Sequence, residues 1–266
     1  MFSVRLEQFR DLSESTRDFR FARTDGEQTE YRPGQFFRFV FSDGEGEFER
    51  SYSLCNFDDL HGALHLVISK VEGGRATRLL FGDDIEGLEA RVTGPFGRLV
   101  LPDSVPRRLI MVATSVGLAP YMPILRQLEN LDYDSVVLLL GVRGRSEFIF
   151  GDKLLAYAER HPGFELRLCL SRERSIASHE FDGYVNPQLE ALQPNPETDH
   201  CLLCGNPGMI DEAWAYLKSS GFRAKQVVRE KYVFAREKTA TRKTLADDQK
   251  RLIAEKMNRY SPDNSD

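Results

Sequence analysis

The hydrophobic pattern changes period once, near residue 104, and that change limits the chain to a narrow set of folds. Before it, residues 3–9, 16–22, 35–41, 64–71 and 88–93 alternate polar and apolar side chains, with turn-forming stretches such as Thr24-Asp25-Gly26 and Ser42-Asp43-Gly44 between them. Strands at that density without helical repeats predict an antiparallel sandwich or barrel. A stretch bounded by Pro102 and Pro106 ends this pattern. Beyond it come short apolar runs at 108–113, 135–142, 164–170 and 200–203, and a more polar one at 223–229. Helical patterns at 119–131, 152–160 and 208–220 separate them. Such alternation predicts a parallel sheet wrapped by helices, each apolar run being too short for a helix and reading as a buried strand.

A chain of 266 residues is long enough for two such domains, at roughly 150 residues each. Its four cysteines (Cys55, Cys169, Cys201, Cys204) are too few and scattered for a disulfide scaffold, which points to a reducing, cytoplasmic setting. No apolar run approaches the ~20 residues of a membrane span, and residues 1–10 lack the basic start and apolar core of a signal peptide. Charge is distributed unevenly. Residues 223–266 carry 12 Lys/Arg against 7 Asp/Glu, leaving −10 on residues 1–222. An acidic body argues against nucleic-acid binding, which needs a basic face. The last stretch, 236–266, reads as a basic extension, helical at 244–257 and disordered from 258, suited to docking an acidic partner.

Several short motifs carry chemistry. Arg50-Ser51-Tyr52-Ser53-Leu54 follows Pro33-Gly34-Gln35-Phe36 by a strand and a turn. An arginine, a ring and a hydroxyl at alternate strand positions are expected to share one face, able to hold a phosphate, stack on a flat heterocycle and donate a hydrogen bond. Gly73-Gly74-Arg75-Ala76-Thr77 precedes a helix-like run, where exposed backbone N–H groups and the Thr77 hydroxyl would form an anion cradle. Thr93-Gly94-Pro95-Phe96-Gly97 reads as a tight turn.

In the second half, Thr114-Ser115-Val116-Gly117-Leu118-Ala119-Pro120 joins the first strand to the first helix, where a parallel sheet holds a dinucleotide pyrophosphate. Another strand ends in Cys204-Gly205-Asn206-Pro207-Gly208-Met209, on the ligand edge of such a sheet. Cys201 and Cys204, three apart on a strand, face opposite sides, which discounts a zinc or disulfide reading and leaves no metal site.

Together PGQF, RSYSL, GGRAT, TGPFG, SVGLAP and CGNPGM resemble, in order and spacing, the ferredoxin/flavodoxin–NADP reductase family of the bacterial type. The resemblance implies an antiparallel Greek-key FAD-binding barrel at 1–103 and an NADP-binding α/β domain at 104–235. It implies that Arg50, Ser51, Tyr52 and Ser53 meet the FAD pyrophosphate, ribityl and flavin region, with Ser53 near flavin N5, and that Gly74, Arg75, Ala76 and Thr77 cradle the phosphates. Thr114 and Gly117 would lie at the nicotinamide dinucleotide, Cys204 near nicotinamide C4, and Tyr232 on the flavin. Nicotinamide C4 would deliver hydride to flavin N5, and electrons would pass singly to a separate ferredoxin or flavodoxin, with Ser53, Cys204 and Glu230 positioning groups or exchanging protons.

Some residues depart from the family. Ser115 stands where a glycine is usual, and Gly183-Tyr184-Val185 replaces a common Gly-Arg-Ile. Arg143 and Arg145, and Arg172 and Arg174, remain placed to meet a 2′-phosphate, which favours NADPH over NADH. Arg75, Arg78, Arg91 and Arg98 offer a second surface for a carrier. The cysteine spacing cannot hold a [2Fe–2S] cluster. Two other readings stay open: a reductase serving an oxygenase or free flavin, and a flavin-binding relay or regulatory subunit without nicotinamide turnover.

Overall fold

The computed structural model describes residues 1–232 apart from Asp83, Val105 and Asp132. The chain divides into two compact units, Met1–Val233 and Phe234–Asp266. The extension expected at 236–266 lies outside the described residues.

Six strands make the first sheet: β1 (Phe2–Ser13), β2 (Thr16–Arg23), β3 (Phe36–Asp43), β4 (Gly46–Ser53), β5 (Leu64–Ser69) and β6 (Glu89–Phe96). All pair antiparallel in the order β4-β3-β6-β1-β2-β5, with β6 returning between β3 and β1 as in a Greek key. Alternation along β3 buries Phe37, Phe39 and Phe41 and leaves Arg38 outside. The Phe39 and Phe41 rings stack at 5.9 Å, and Phe21 closes on Phe39 at 5.6 Å. Each such ring contributes about 1.5–3 kcal/mol by burial. Helix α1 (Arg75–Leu80) covers this core with Leu80. The expected turn at residues 93–97 is instead mostly strand: Phe96 pairs with Phe36 and Thr93 with Arg38, a register shift absorbing the extra residue.

The second sheet is parallel, in the order β10-β9-β8-β7-β11-β12. Its strands are β7 (Arg108–Thr114), β8 (Ser135–Val142), β9 (Phe164–Leu170), β10 (Glu180–Asp182), β11 (Asp199–Gly205) and β12 (Val227–Lys231). Helices α2 (Tyr121–Leu128), α3 (Gly151–Arg160), α4 (Val185–Ala191) and α5 (Pro207–Ser219) connect them. Both faces are apolar: Leu109, Met111, Ala113 and Cys204 pack on one, Ile110, Val112 and Cys201 on the other. The run at 223–229 begins not as strand but as a 3-10 turn, Ala224–Gln226, and strand starts at Val227. The helix expected at 119–131 is shorter, since a separate 3-10 turn, Ser115–Leu118, precedes it.

The direction of chain crossing reverses between β7 and β11, so a ligand crevice opens at their carboxyl ends. Buried Tyr121 closes the floor of that crevice, its hydroxyl shared between the carbonyls of Val112 on β7 (3.1 Å) and Leu202 on β11 (2.7 Å). Tyr121→Phe should cost about 1–2 kcal/mol, read as a lower urea midpoint with unchanged slope; an unaltered midpoint would deny the phenol this bridging role.

The halves share a core. Cys55, Val67, Leu99 and Leu101, all before residue 104, pack in the same apolar cluster as Met111, Leu118, Tyr121 and Leu138. The seam near residue 104 is thus a chain crossing rather than a gap.

Candidate active site

The ends of β4, β11 and β12 meet at this seam. Cys204 sits opposite Glu230 in the parallel register. Ser53 Oγ donates to Glu230 Oε1 at 3.0 Å, and the Tyr232 hydroxyl donates to Ser53 Oγ at 2.9 Å. The Tyr232 N–H is held by the Gly205 carbonyl at 2.9 Å. Burial pushes the Glu230 carboxyl from 4.5 up to about 7, although the Ser53 hydrogen bond pulls it down. Burial likewise holds the Cys204 thiol well above its ordinary value, so this sulfur is neutral. The site therefore has a carboxyl raised to about 7, a hydroxyl and an uncharged thiol side by side.

Strand parity corrects one expectation. Arg50 and Tyr52 share a face of β4, with Tyr52 edge-on to Phe39 at 5.8 Å, whereas Ser51 and Ser53 belong to the opposite parity. Ser53 alone of the four reaches Glu230 and Tyr232. Ser51 is exposed and pairs with Arg38 in register. The Arg50 guanidinium donates to the Glu49 carbonyl at 2.7 Å and has no carboxylate partner among the described residues.

The turn after β7 sits beside the cluster. Thr114 Oγ1 accepts from the Asn206 N–H at 2.9 Å, which ties the end of β7 to α5, while the Asn206 side chain caps α5 through Gly208 and Met209. Thr114 thus has a structural task beside its expected ligand role. Ser115 holds φ +50°, a left-handed geometry that suits the family's glycine and strains serine by roughly 1 kcal/mol. A Cβ on Gly117 would lie 2.6 Å from the Cys204 carbonyl, so only glycine lets the turn lie against β11.

At the barrel cradle, Gly74 precedes α1 and Ala76 and Thr77 lie inside its first turn. Thr77 Oγ1 accepts from the Val71 N–H at 2.8 Å. Arg75 differs from its expected role: its guanidinium is bound by Asp43 (2.9 Å) and lies over the Phe48 ring at 4.6 Å, because the β3–β4 hairpin brings Asp43 to it.

Of the four arginines expected to face a 2′-phosphate, two are taken. Arg145 bonds Glu180 (2.7 Å) and Glu173 (2.6 Å), and Arg174 bonds Asp182 (2.7 Å). Those guanidiniums hold the Glu180 and Asp182 carboxyls down at about 2, Asp182 helped first by the Ser175 N–H. Arg143 has only a loose contact, 3.8 Å, with Glu147, and Arg172 has no carboxylate partner among the described residues. Sequence reasoning passed over these carboxylates, although they stand within the same short stretch as Arg172 and Arg174. It also gave no role to Tyr184, which is 72% exposed on the same edge.

Comparison with known proteins agrees with this fold. A family model described as an oxidoreductase FAD-binding domain matches residues 3–101, and one described as an oxidoreductase NAD-binding domain matches residues 111–214. Ferredoxin–NADP reductase B of Sorangium cellulosum (strain So ce56) is 28% identical over 219 residues, covering 79% of this chain and 88% of that protein. The chain belongs to the ferredoxin–NADP reductase family. The crystal structure of a ferredoxin NADP+ reductase from Neisseria gonorrhoeae with bound FAD and NADP superposes with TM-score 0.73 at 25% identity, over 86% of this chain and 97% of that one. The toluate 1,2-dioxygenase electron transfer component of Pseudomonas putida is 26% identical over 232 residues, 87% of this chain and 67% of that protein. Other relatives are longer, the chain spanning 59% of a phenol hydroxylase P5 protein and 58% and 56% of two monooxygenase reductase components. As a family member the chain is an FAD-dependent oxidoreductase that binds a nicotinamide nucleotide. No helix among the described residues is long and apolar enough to cross a membrane.

Proposed function

We propose that the protein moves electrons from NADPH, through bound FAD, to a separate one-electron carrier, a ferredoxin or a flavodoxin. The observation that carries this reading is the Ser53–Glu230–Tyr232–Cys204 cluster, which draws groups from both halves to one seam. Residues 1–103 would hold the flavin and residues 104–235 the nicotinamide nucleotide. The residues fit such a guest: Arg50 is without a carboxylate partner among the described residues, and the turn carrying Ser115 and Gly117 has the backbone a close-lying phosphate needs. When bound, FAD supplies the exchange between two-electron and one-electron chemistry. The chain's own residues do the rest: Arg50, Gly74, Ala76 and Thr77 bind the phosphates, Tyr52 packs on the ribityl side, Thr114 and Gly117 seat the dinucleotide, and Glu230 holds or releases a proton through Ser53. All four cysteines are free and buried, which suits a reducing cytoplasm and a carrier that is a second molecule.

The test is anaerobic mixing of the FAD-loaded protein with NADPH or NADH, followed by a ferredoxin, a flavodoxin or free flavin. Bleaching of the flavin by NADPH and reoxidation by a carrier protein is expected. If neither coenzyme bleaches it, the relay reading stands and this one falls. Turnover of free flavin alone would favour a flavin reductase. The relatives named as oxygenase components support a second reading, a reductase feeding an oxygenase system, which faster reduction by NADH would favour.

NADPH preference would rest on Arg143 and Arg172. Replacing both with alanine should raise the KM for NADPH at least about tenfold, the loss of charge-assisted phosphate bonds, and leave the KM for NADH within about twofold. Equal effects on both coenzymes would remove these arginines from 2′-phosphate recognition.

A further inference from the structure

Tyr232 is the last described residue, and an aromatic ring there reads first as a flat surface for the flavin. Its hydroxyl has a separate place. It lies 2.9 Å from Ser53 Oγ, while Ser53 Oγ lies 3.0 Å from Glu230 Oε1. A serine hydroxyl has one proton to give and two lone pairs to receive. Left alone it rotates. With a phenol donating to it, its single proton is directed at the remaining acceptor, and a hydroxyl that accepts one hydrogen bond is a stronger donor of another.

We propose that the Tyr232 hydroxyl is a positioning group for Glu230, acting through Ser53: it occupies the acceptor side of Ser53 and turns the Ser53 proton onto the Glu230 carboxylate. The proposal deepens the functional reading above and rests on it for the importance of Glu230, whereas the geometry itself involves only this chain. Among the described residues, few groups face Glu230. Ser53 approaches from β4, Cys204 from β11, Tyr121 from α2 and Tyr232 from the end of β12. None is a cation. Near Oε2 stands Gly97, where an added Cβ would be 3.4 Å away and which offers no side chain. Support for the ionised carboxyl therefore comes from Ser53, and the direction of the Ser53 proton decides how much support there is.

The test reads Glu230 directly in the FAD-loaded full chain. The carboxyl stretch is followed against pH by difference infrared spectroscopy, with Glu230→Gln assigning the band. The wild-type midpoint is expected at about 7. Tyr232→Phe keeps the ring and removes the hydroxyl, so its midpoint should rise by about half a unit. Ser53→Ala should raise it by about one unit. The double variant should match Ser53→Ala alone, because Tyr232 acts only through Ser53. An unmoved midpoint in Tyr232→Phe, or a double variant whose shift is the sum of the two, overturns the proposal. Flavin reduction by NADPH and NADH is measured separately on the same wild-type preparation. Failure there removes the functional reading and leaves the titration standing; an unmoved titration with rapid flavin reduction does the reverse.

Discussion

Replacing Glu230 with glutamine is expected to slow flavin reduction by about a hundredfold, the lower range for loss of a positioned acid or base, and to erase the limb of the pH profile near 7. Glutamine keeps the shape and the acceptor for Ser53 but cannot exchange the proton. The same variant reports on stability. Because the folded carboxyl titrates at about 7 rather than 4.5, the folded protein retains a proton that the unfolded chain has already released in that window. The contribution of Glu230 to stability is thus fully present below 4.5 and is lost as pH rises through about 7. Wild-type Tm should decline across that range and the Glu230→Gln Tm should decline less, as read by thermal melts in a series of buffers. Parallel Tm curves, or an unchanged rate profile, would take the proton-exchange role away from this residue.

The second large effect is steric. Gly117→Ala would place a methyl 2.6 Å from the Cys204 carbonyl oxygen and 2.9 Å from the Gly205 Cα. Both are backbone atoms of β11, so no side chain can turn aside. Relief requires the strand to move, which costs about 1–3 kcal/mol and carries Cys204 away from Glu230. Affinity for the nicotinamide nucleotide should fall at least about tenfold with that loss of geometry, measured by calorimetric titration. Gly44→Ala, where an added methyl meets nothing within 4 Å, is the control. Equal nucleotide affinity in the two variants would mean that the close approach of the turn to β11 does not matter for binding.

Much of the fold was legible because its signals are local. The runs at 135–142 and 164–170 coincide with β8 and β9 at both ends, since each is a continuous apolar stretch that a two-faced buried strand demands. β10 was not legible: Glu180-Phe181-Asp182 is three residues long and mostly charged, and it is strand only because the edge of β9 accepts it. α4 was missed for a similar reason, being seven residues with a proline among them. The site was less legible than the fold. Ser53 lies 177 residues from Glu230 and 179 from Tyr232, so no spacing rule joins them, and only resemblance brought them into one list of candidates. One face shared by Arg50, Tyr52 and a hydroxyl was the wrong expectation, because Ser53 stands three residues after Arg50 and so has the opposite parity on β4. The arginines failed differently: Arg145 meets Glu180 across 35 residues, and a sequence cannot show which cations have already been neutralised by the fold.

Leu99 and Leu101 precede the seam yet pack with Leu118 and Leu138, which follow it. A recombinant hybrid joined at residue 104 would therefore inherit from one parent its barrel together with Leu99 and Leu101, with the surface they pack against coming from the other. A junction upstream of Leu99 would keep these two leucines with the half they pack against, leaving Cys55 and Val67 as the barrel's share of the common cluster.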